Sequence, residues 1–268
     1  MQYKLGFIGV GVMAGAILNC ALDHLDTIGL RAEDIVACDK DDQKLLSFAA
    51  RGVATTESAA EVLACSEIVL FGVKPQFYAE MLRSVDEINA KTLVSIMAGV
   101  KIETLQTATG IASVCRVMPN LPCRVGKGIS ALSFVNVEEN HRKIVTAVFA
   151  SCGKTIEIDE SQFDAVTSVS GSGPAYVFMV AAGMIAGGMK GGLTYEQSKQ
   201  LALATLEGSA IFAAQSDLPF DDLVQSVCSK GGTTIEAVEI YRNRGLESLL
   251  VDGIDACRMK SELLSRNL

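Results

Sequence analysis

The first half of the chain alternates between two hydrophobic rhythms. Short runs of β-branched and other apolar residues at 4–8, 35–38, 68–71, 93–96, 114–118, 129–134 and 155–158 each predict a strand. Between them, 13–25, 41–51, 59–64, 76–88 and 138–152 repeat apolar residues at helical spacing. Alternating strands and helices imply an α/β fold with a largely parallel, doubly wound sheet, because parallel neighbours are joined through crossovers.

After about residue 159 the β signals stop. The segments 164–169, 174–190, 195–215, 220–227, 234–242 and 246–265 all predict helices. The change of rhythm, near 158–162, divides the chain into an α/β domain, 1–160, and an all-helical domain, 161–268. The most apolar stretch, 174–189, stops at Lys190, is too short to span a bilayer and predicts a buried helix. With Gly183, Gly187 and Gly188, it is too apolar to stay exposed on a monomer, so the helical half predicts an obligate dimer.

Composition narrows the partners. The 268 residues are 49% hydrophobic and 20% charged, as in a globular protein, with length for two modest domains. A net charge of -8 provides no basic field for nucleic acid and favours a small metabolite. Cys20, Cys38, Cys65, Cys115, Cys123, Cys152, Cys228 and Cys257 include no pair at metal-knuckle spacing, and His24 lies far from His141, so no metal is expected. Residues 1–6 start a strand pattern and lack the features of an export signal. Reduced thiols, a cytoplasmic location and no membrane partner are the expectation.

The chemistry begins directly after the first strand. Gly9-Val10-Gly11-Val12-Met13-Ala14 has the G-x-G-x-x-A form, followed by an apolar helix. Gly9 permits the tight turn, Gly11 lets a pyrophosphate approach the backbone, and Ala14 allows close helix–strand packing, with the anion on the helix N-terminus. The structural alternative is an ordinary glycine turn. Asp39 and Lys40 end the second strand, where such folds place the adenosine ribose; Asp39 opposes a 2′-phosphate and Lys40 favours it. On these residues the choice between NAD and NADP stays open, as does a reading of both as solvated loop charges.

Further strand ends belong to the same sheet edge. Gly72-Val73-Lys74-Pro75, Ser95-Ile96-Met97-Ala98-Gly99 and Arg116-Val117-Met118-Pro119-Asn120 offer small residues and backbone groups suited to a flat nicotinamide. In the helical half, Ser170 to Tyr176 breaks one helix and starts another, with Ser172 or Gly173 as the cap. The segment Ser229-Lys230-Gly231-Gly232-Thr233-Thr234 precedes another helix, and Thr233 with Glu236 has capping-box spacing. Besides capping, exposed amides there can form a nest for a substrate carboxylate.

In Gly6 to Ala14, Val73-Lys74-Pro75, Arg116 to Asn120, Ser170 to Tyr176 and Gly231-Gly232-Thr233-Thr234, in that order and over essentially the full length, the chain resembles the pyrroline-5-carboxylate reductases. The resemblance implies a Rossmann-like nucleotide-binding domain, a helical dimerisation domain, a homodimer often assembled further, and reduction of 1-pyrroline-5-carboxylate to proline with NADPH or NADH. It assigns the cofactor to Ile8, Gly9, Gly11, Val12, Met13, Ala14, Asp39, Lys40, Val73, Lys74, Met97 and Ala98. It assigns the substrate to Ser229, Gly231, Gly232, Thr233 and Thr234, with Glu160 as a ligand-site carboxylate. Leu121, Lys230 and Met97 depart from the family's threonine, proline and alanine; Met97 is expected to narrow the nicotinamide pocket.

The implied chemistry is hydride transfer to the imine carbon, with Thr234 hydrogen-bonding or protonating the ring nitrogen. Two other readings share the fold. A β-hydroxyacid dehydrogenase would need a lysine early in the helix at 174–189, which has neither lysine nor histidine. A non-catalytic dinucleotide-sensing regulator differs only in lacking turnover.

Overall fold

The structure, a computed structural model, describes residues 2–266. It comprises two compact units: residues up to Ser172 together with those from Cys257 onward, and Gly173–Ala256. The first contains, in chain order, β1 (Tyr3–Ile8), α1 (Val12–Asp23), α2 (Leu25–Ile28), β2 (Ile35–Cys38), α3 (Asp42–Ala49), β3 (Ala54–Thr56), α4 (Ala59–Cys65) and β4 (Ser66–Phe71). It continues with α5 (Tyr78–Leu82), β5 (Thr92–Ser95), α6 (Ile102–Thr109), β6 (Val114–Met118), β7 (Gly128–Val135), α7 (Glu139–Ala150), β8 (Gly153–Glu157) and α8 (Phe163–Val166). The second contains α9 (Gly173–Lys190), α10 (Tyr195–Gln215), α11 (Phe220–Val227), α12 (Thr233–Asn243) and the start of α13 (Leu246–Arg266).

The eight-stranded sheet has the order β3-β2-β1-β4-β5-β6-β7-β8. Pairing is parallel through β6; β7 runs antiparallel to β6 and carries β8 parallel to itself. Alternation along the strands builds a core on each face. Leu5 and Phe7 join Ile17, Leu18, Ile35, Leu70 and Phe149 on one side, while Ile8 joins Val36, Val69, Phe71 and Leu93 on the other. The chain reverses its order of strand addition between β1 and β4, and ligands of such sheets bind outside the strand carboxyl ends at that point.

Several sequence expectations change. β3 was not expected: it is a three-residue edge strand with no apolar run to announce it. The helix expected at 76–88 is a 3₁₀ turn at Pro75–Phe77 followed by the short α5. Ser84 Oγ donates to the Met81 carbonyl at 2.8 Å, a local bond that competes with continuation of the helix.

Ser170 to Tyr176 holds no capped break. A π-turn, Thr167–Gly171, carries the helical path onward, and the Ser172 N–H donates to the Thr167 carbonyl at 2.9 Å. Ser172 has right-handed helical φ/ψ, so it is not a cap. The helical signal therefore begins inside the sheet unit. Phe163 is buried there, and Asp164 Oδ1 accepts from Ser261 Oγ at 2.6 Å and Ser265 Oγ at 3.3 Å.

The apolar helix is also longer and barer than expected. The helical run Glu160–Lys190 has 31 residues and is long and apolar enough to cross a membrane by length and composition. Within it α9 buries only Ala181; Phe178 is 59% and Met179 74% exposed. A helix expected to be buried packs against α10 and leaves most of its apolar side chains exposed in this single chain.

Candidate functional site

The loop after β1 lies backbone against backbone with the loop after β4. Gly9 has φ +84°, a conformation L side chains rarely adopt, and a Cβ there would lie 2.8 Å from Val73 Cγ1. A Cβ on Gly72 would meet the Gly9 carbonyl at 2.3 Å and Ala14 Cβ at 2.5 Å, while the Gly72 N–H donates to Ile8 O at 2.8 Å. Gly11 differs: a Cβ there would meet nothing within 4 Å. As the N-cap of α1 it contributes no side-chain cap, so the first amides of a 12-residue helix are left for an external acceptor. Open space and free amides fit a dinucleotide pyrophosphate. Val12 is 70% exposed at this end, whereas Ala14 is buried against the sheet.

Asp39 follows β2 and is held on both carboxylate oxygens. Oδ2 accepts from the Val10 N–H of the glycine loop at 3.0 Å; Oδ1 accepts from the Asp41 N–H at 3.1 Å and Lys44 Nζ at 3.0 Å. The expected cationic neighbour, Lys40, is exposed and makes no hydrogen bond or ion pair among the described residues. Lys44, in the first turn of α3, was missed because it lies outside the motif. Its ammonium pKa is raised, chiefly by the bond to Asp39. Burial, and then the charges of Asp39, Glu61 and Glu57, push the adjacent Cys38 thiol up to about 11, so it stays protonated and unreactive.

The other strand ends divide into open and structural groups. Lys74 is exposed and Val73 half-buried just beyond β4, and Ala98 is exposed beyond β5. Met97 does not narrow a pocket: it is 2% exposed and packs with the core cluster containing Ile8 and Phe71. Asn120 is buried, accepting from the Ile129 N–H at 3.0 Å and donating to the Ser170 carbonyl at 3.2 Å, which ties the end of β6 to β7 and to the π-turn.

Glu160 is likewise engaged inside the fold. Its Oε1 accepts from the Ile102 N–H at 2.8 Å and from Arg116 at 3.0 Å, and the guanidinium lies 4.7 Å from the Phe163 ring centroid. Arg116 is buried and this carboxylate is its ion-pair partner. Glu160 thus caps α6 and neutralises an internal cation, two contacts that the expectation of a ligand-site carboxylate did not include.

In the helical unit, Gly231 has φ +71° and the Gly232 N–H donates to Ser229 O at 2.9 Å. Gly232 is the N-cap of α12, again with no side-chain cap. The expected Thr233–Glu236 capping box is absent, because Thr233 already belongs to the helix and cannot cap it from outside. Ser229 and Thr233 are exposed and Thr234 is half-buried. With no protein group capping it, the start of this 11-residue helix retains amides for an anion.

The second half of the chain, residues 160–264, matches the family model for pyrroline-5-carboxylate reductase dimerisation, and residues 4–99 match that for coenzyme F420-dependent NADP oxidoreductase. A pyrroline-5-carboxylate reductase from Pisum sativum is 33% identical over 98% of this chain and 97% of its own length. The Haemophilus influenzae enzyme of that name is 34% identical, with 98% of each chain covered. Among solved structures, the Plasmodium falciparum pyrroline carboxylate reductase with NADP bound has a TM-score of 0.85 and 30% identity, covering 99% of both chains. Near-complete matches of this strength, together with the glycine loop and the uncapped α12, lead to one conclusion: the chain belongs to the pyrroline-5-carboxylate reductase family.

Proposed function

We infer that the chain is a homodimeric oxidoreductase that reduces 1-pyrroline-5-carboxylate to proline, with NADPH as hydride donor and NADH as the alternative. The observation that carries this reading is an uncapped, glycine-bearing helix N-terminus in each unit of a chain of this family. Gly9, Gly11, Val12 and Met13 receive the cofactor pyrophosphate, with Ile8 and Ala14 setting the strand–helix geometry; Asp39 meets the adenosine ribose. Val73, Lys74 and Ala98 line the remaining strand ends.

The amides following Ser229, at Gly231, Gly232 and Thr233, receive the substrate carboxylate. The Thr234 hydroxyl, half-buried in the first turn of α12, hydrogen-bonds the ring nitrogen. The cofactor, when bound, supplies the hydride that goes to the imine carbon, and the nitrogen takes one proton, giving proline and the oxidised nucleotide. A cyclic imine is basic enough to be protonated without a strong acid. Thr234 therefore orients the nitrogen and stabilises its charge, with water resupplying the proton.

The bare apolar surface supports the dimer. Besides Phe178 and Met179, the helical unit exposes Phe212 at 61% and Phe220 at 77%, more than a lone soluble chain leaves open. A second copy, consistent with the dimerisation-model match, covers it. The test is turnover: purified protein given 1-pyrroline-5-carboxylate consumes NADPH and NADH and releases proline in equal amount. Absence of proline with both nucleotides would refute the assignment.

A further inference from the structure

Lys44 belongs to no motif, yet its ammonium stands 3.0 Å from Asp39 Oδ1 and 3.7 Å from Asp41 Oδ2. Asp39 is fixed in place. Val10 N–H holds one carboxylate oxygen and Asp41 N–H the other, and the side chain is only 12% exposed. At the carboxyl end of β2 this carboxylate is set to accept from ribose hydroxyls and, unneutralised, to repel a 2′-phosphate. Lys44 is 43% exposed on a flexible stem, so its ammonium can change partner without disturbing the core.

We propose that the Asp39–Lys44 ion pair is the cofactor selector of this chain. This rests on the assignment of the glycine loop as the dinucleotide site. With NADH, Asp39 binds the ribose hydroxyls while Lys44 stays paired to it. With NADPH, Lys44 turns from Asp39 to the 2′-phosphate, which makes one protein able to use both nucleotides. Removing Lys44 takes away that attraction and also leaves the Asp39 charge unmasked, so both effects weaken NADPH. Lys40, solvated and without an ion-pair partner among the described residues, contributes a smaller, diffuse attraction.

The test is calorimetric binding to the full-length protein of NADPH, NADH and adenosine 2′,5′-bisphosphate, which cannot transfer hydride. Lys44→Ala is expected to weaken NADPH and the bisphosphate about ten- to hundred-fold, the range for a lost charge-assisted hydrogen bond, while NADH stays within about two-fold. Asp39→Ser should shift the ratio the other way, towards NADPH. The salt dependence of NADPH binding should flatten in Lys44→Ala. Equal weakening of both nucleotides, or a selective loss in Lys40→Ala in place of Lys44→Ala, would overturn the proposal. If the unaltered protein binds both nucleotides and Lys44→Ala changes neither, the selector alone fails; if the unaltered protein binds neither, the dinucleotide-site assignment fails with it.

Discussion

Replacing Glu160 by Ala separates a structural carboxylate from a substrate ligand. The side chains of Arg116 and Glu160 are 7% and 27% exposed, so the substitution strands a nearly buried guanidinium. Breaking a fully buried pair from one side costs about 3–5 kcal/mol. Here the carboxylate retains some hydration and the Phe163 ring still faces the cation, both of which reduce the loss. The Ile102 N–H also loses its acceptor at the start of α6, and a lost cap costs about 0.5–2 kcal/mol. The balance is a destabilisation of about 2–4 kcal/mol. Glu160→Gln keeps an acceptor for Ile102 and should lose roughly 1 kcal/mol less. Urea unfolding at one fixed protomer concentration measures both variants, since a dimer's apparent stability depends on concentration. The KM for 1-pyrroline-5-carboxylate should remain near normal in the surviving folded protein. Stability within about 0.5 kcal/mol of the parent, with a KM raised several-fold, would refute the structural role and return Glu160 to the substrate.

Other outcomes follow from the same geometry. Thr234→Ala should lower kcat roughly ten-fold or more with folding nearly intact, by loss of a hydrogen bond to a charged nitrogen; Thr233→Ala should unfold at the parent's urea midpoint, because Thr233 is not the cap of α12. Gly11→Ala should weaken NADPH binding in calorimetry with little thermal change, whereas Gly72→Ala, whose Cβ would lie 2.3 Å from the Gly9 carbonyl, should lower the melting temperature. Glu67 has its pKa lowered chiefly by the hydrogen bond from Lys4, with Lys91 and His141 adding to it, so its stabilising contribution is present above the unfolded pKa and disappears as pH falls through the folded one. Lys4→Ala should flatten the acid limb of a stability–pH curve, and an unchanged limb would exclude that pair. Light scattering at micromolar concentration should give the mass of at least two chains; the mass of one chain would contradict the dimer.

The chain itself determined what depends on neighbouring residues. Most strands were legible as apolar runs, the glycine loop as G-x-G-x-x-A between a strand and a helix, and the change to helices as a loss of β rhythm, because propensity and periodicity act over a few positions. Tertiary structure decided what depends on residues far apart in sequence. Val10 and Asp39 are 29 positions apart, and Arg116 and Glu160 are 44 apart; no local pattern announces either bond. That is why the Arg116 partner of Glu160 went unseen and Met97 was expected in a pocket when it belongs to the core; Lys44, only five positions from Asp39, was overlooked because it lies outside the motif. The start of α12 was misplaced for a smaller reason: Thr233-Thr234-Ile235-Glu236 satisfies the capping-box spacing, but helix onset depends on the left-handed turn at Gly231. For α9, apolar composition predicted a cover, but hydrophobicity has no direction; only the folded chain shows which of its apolar side chains stay exposed.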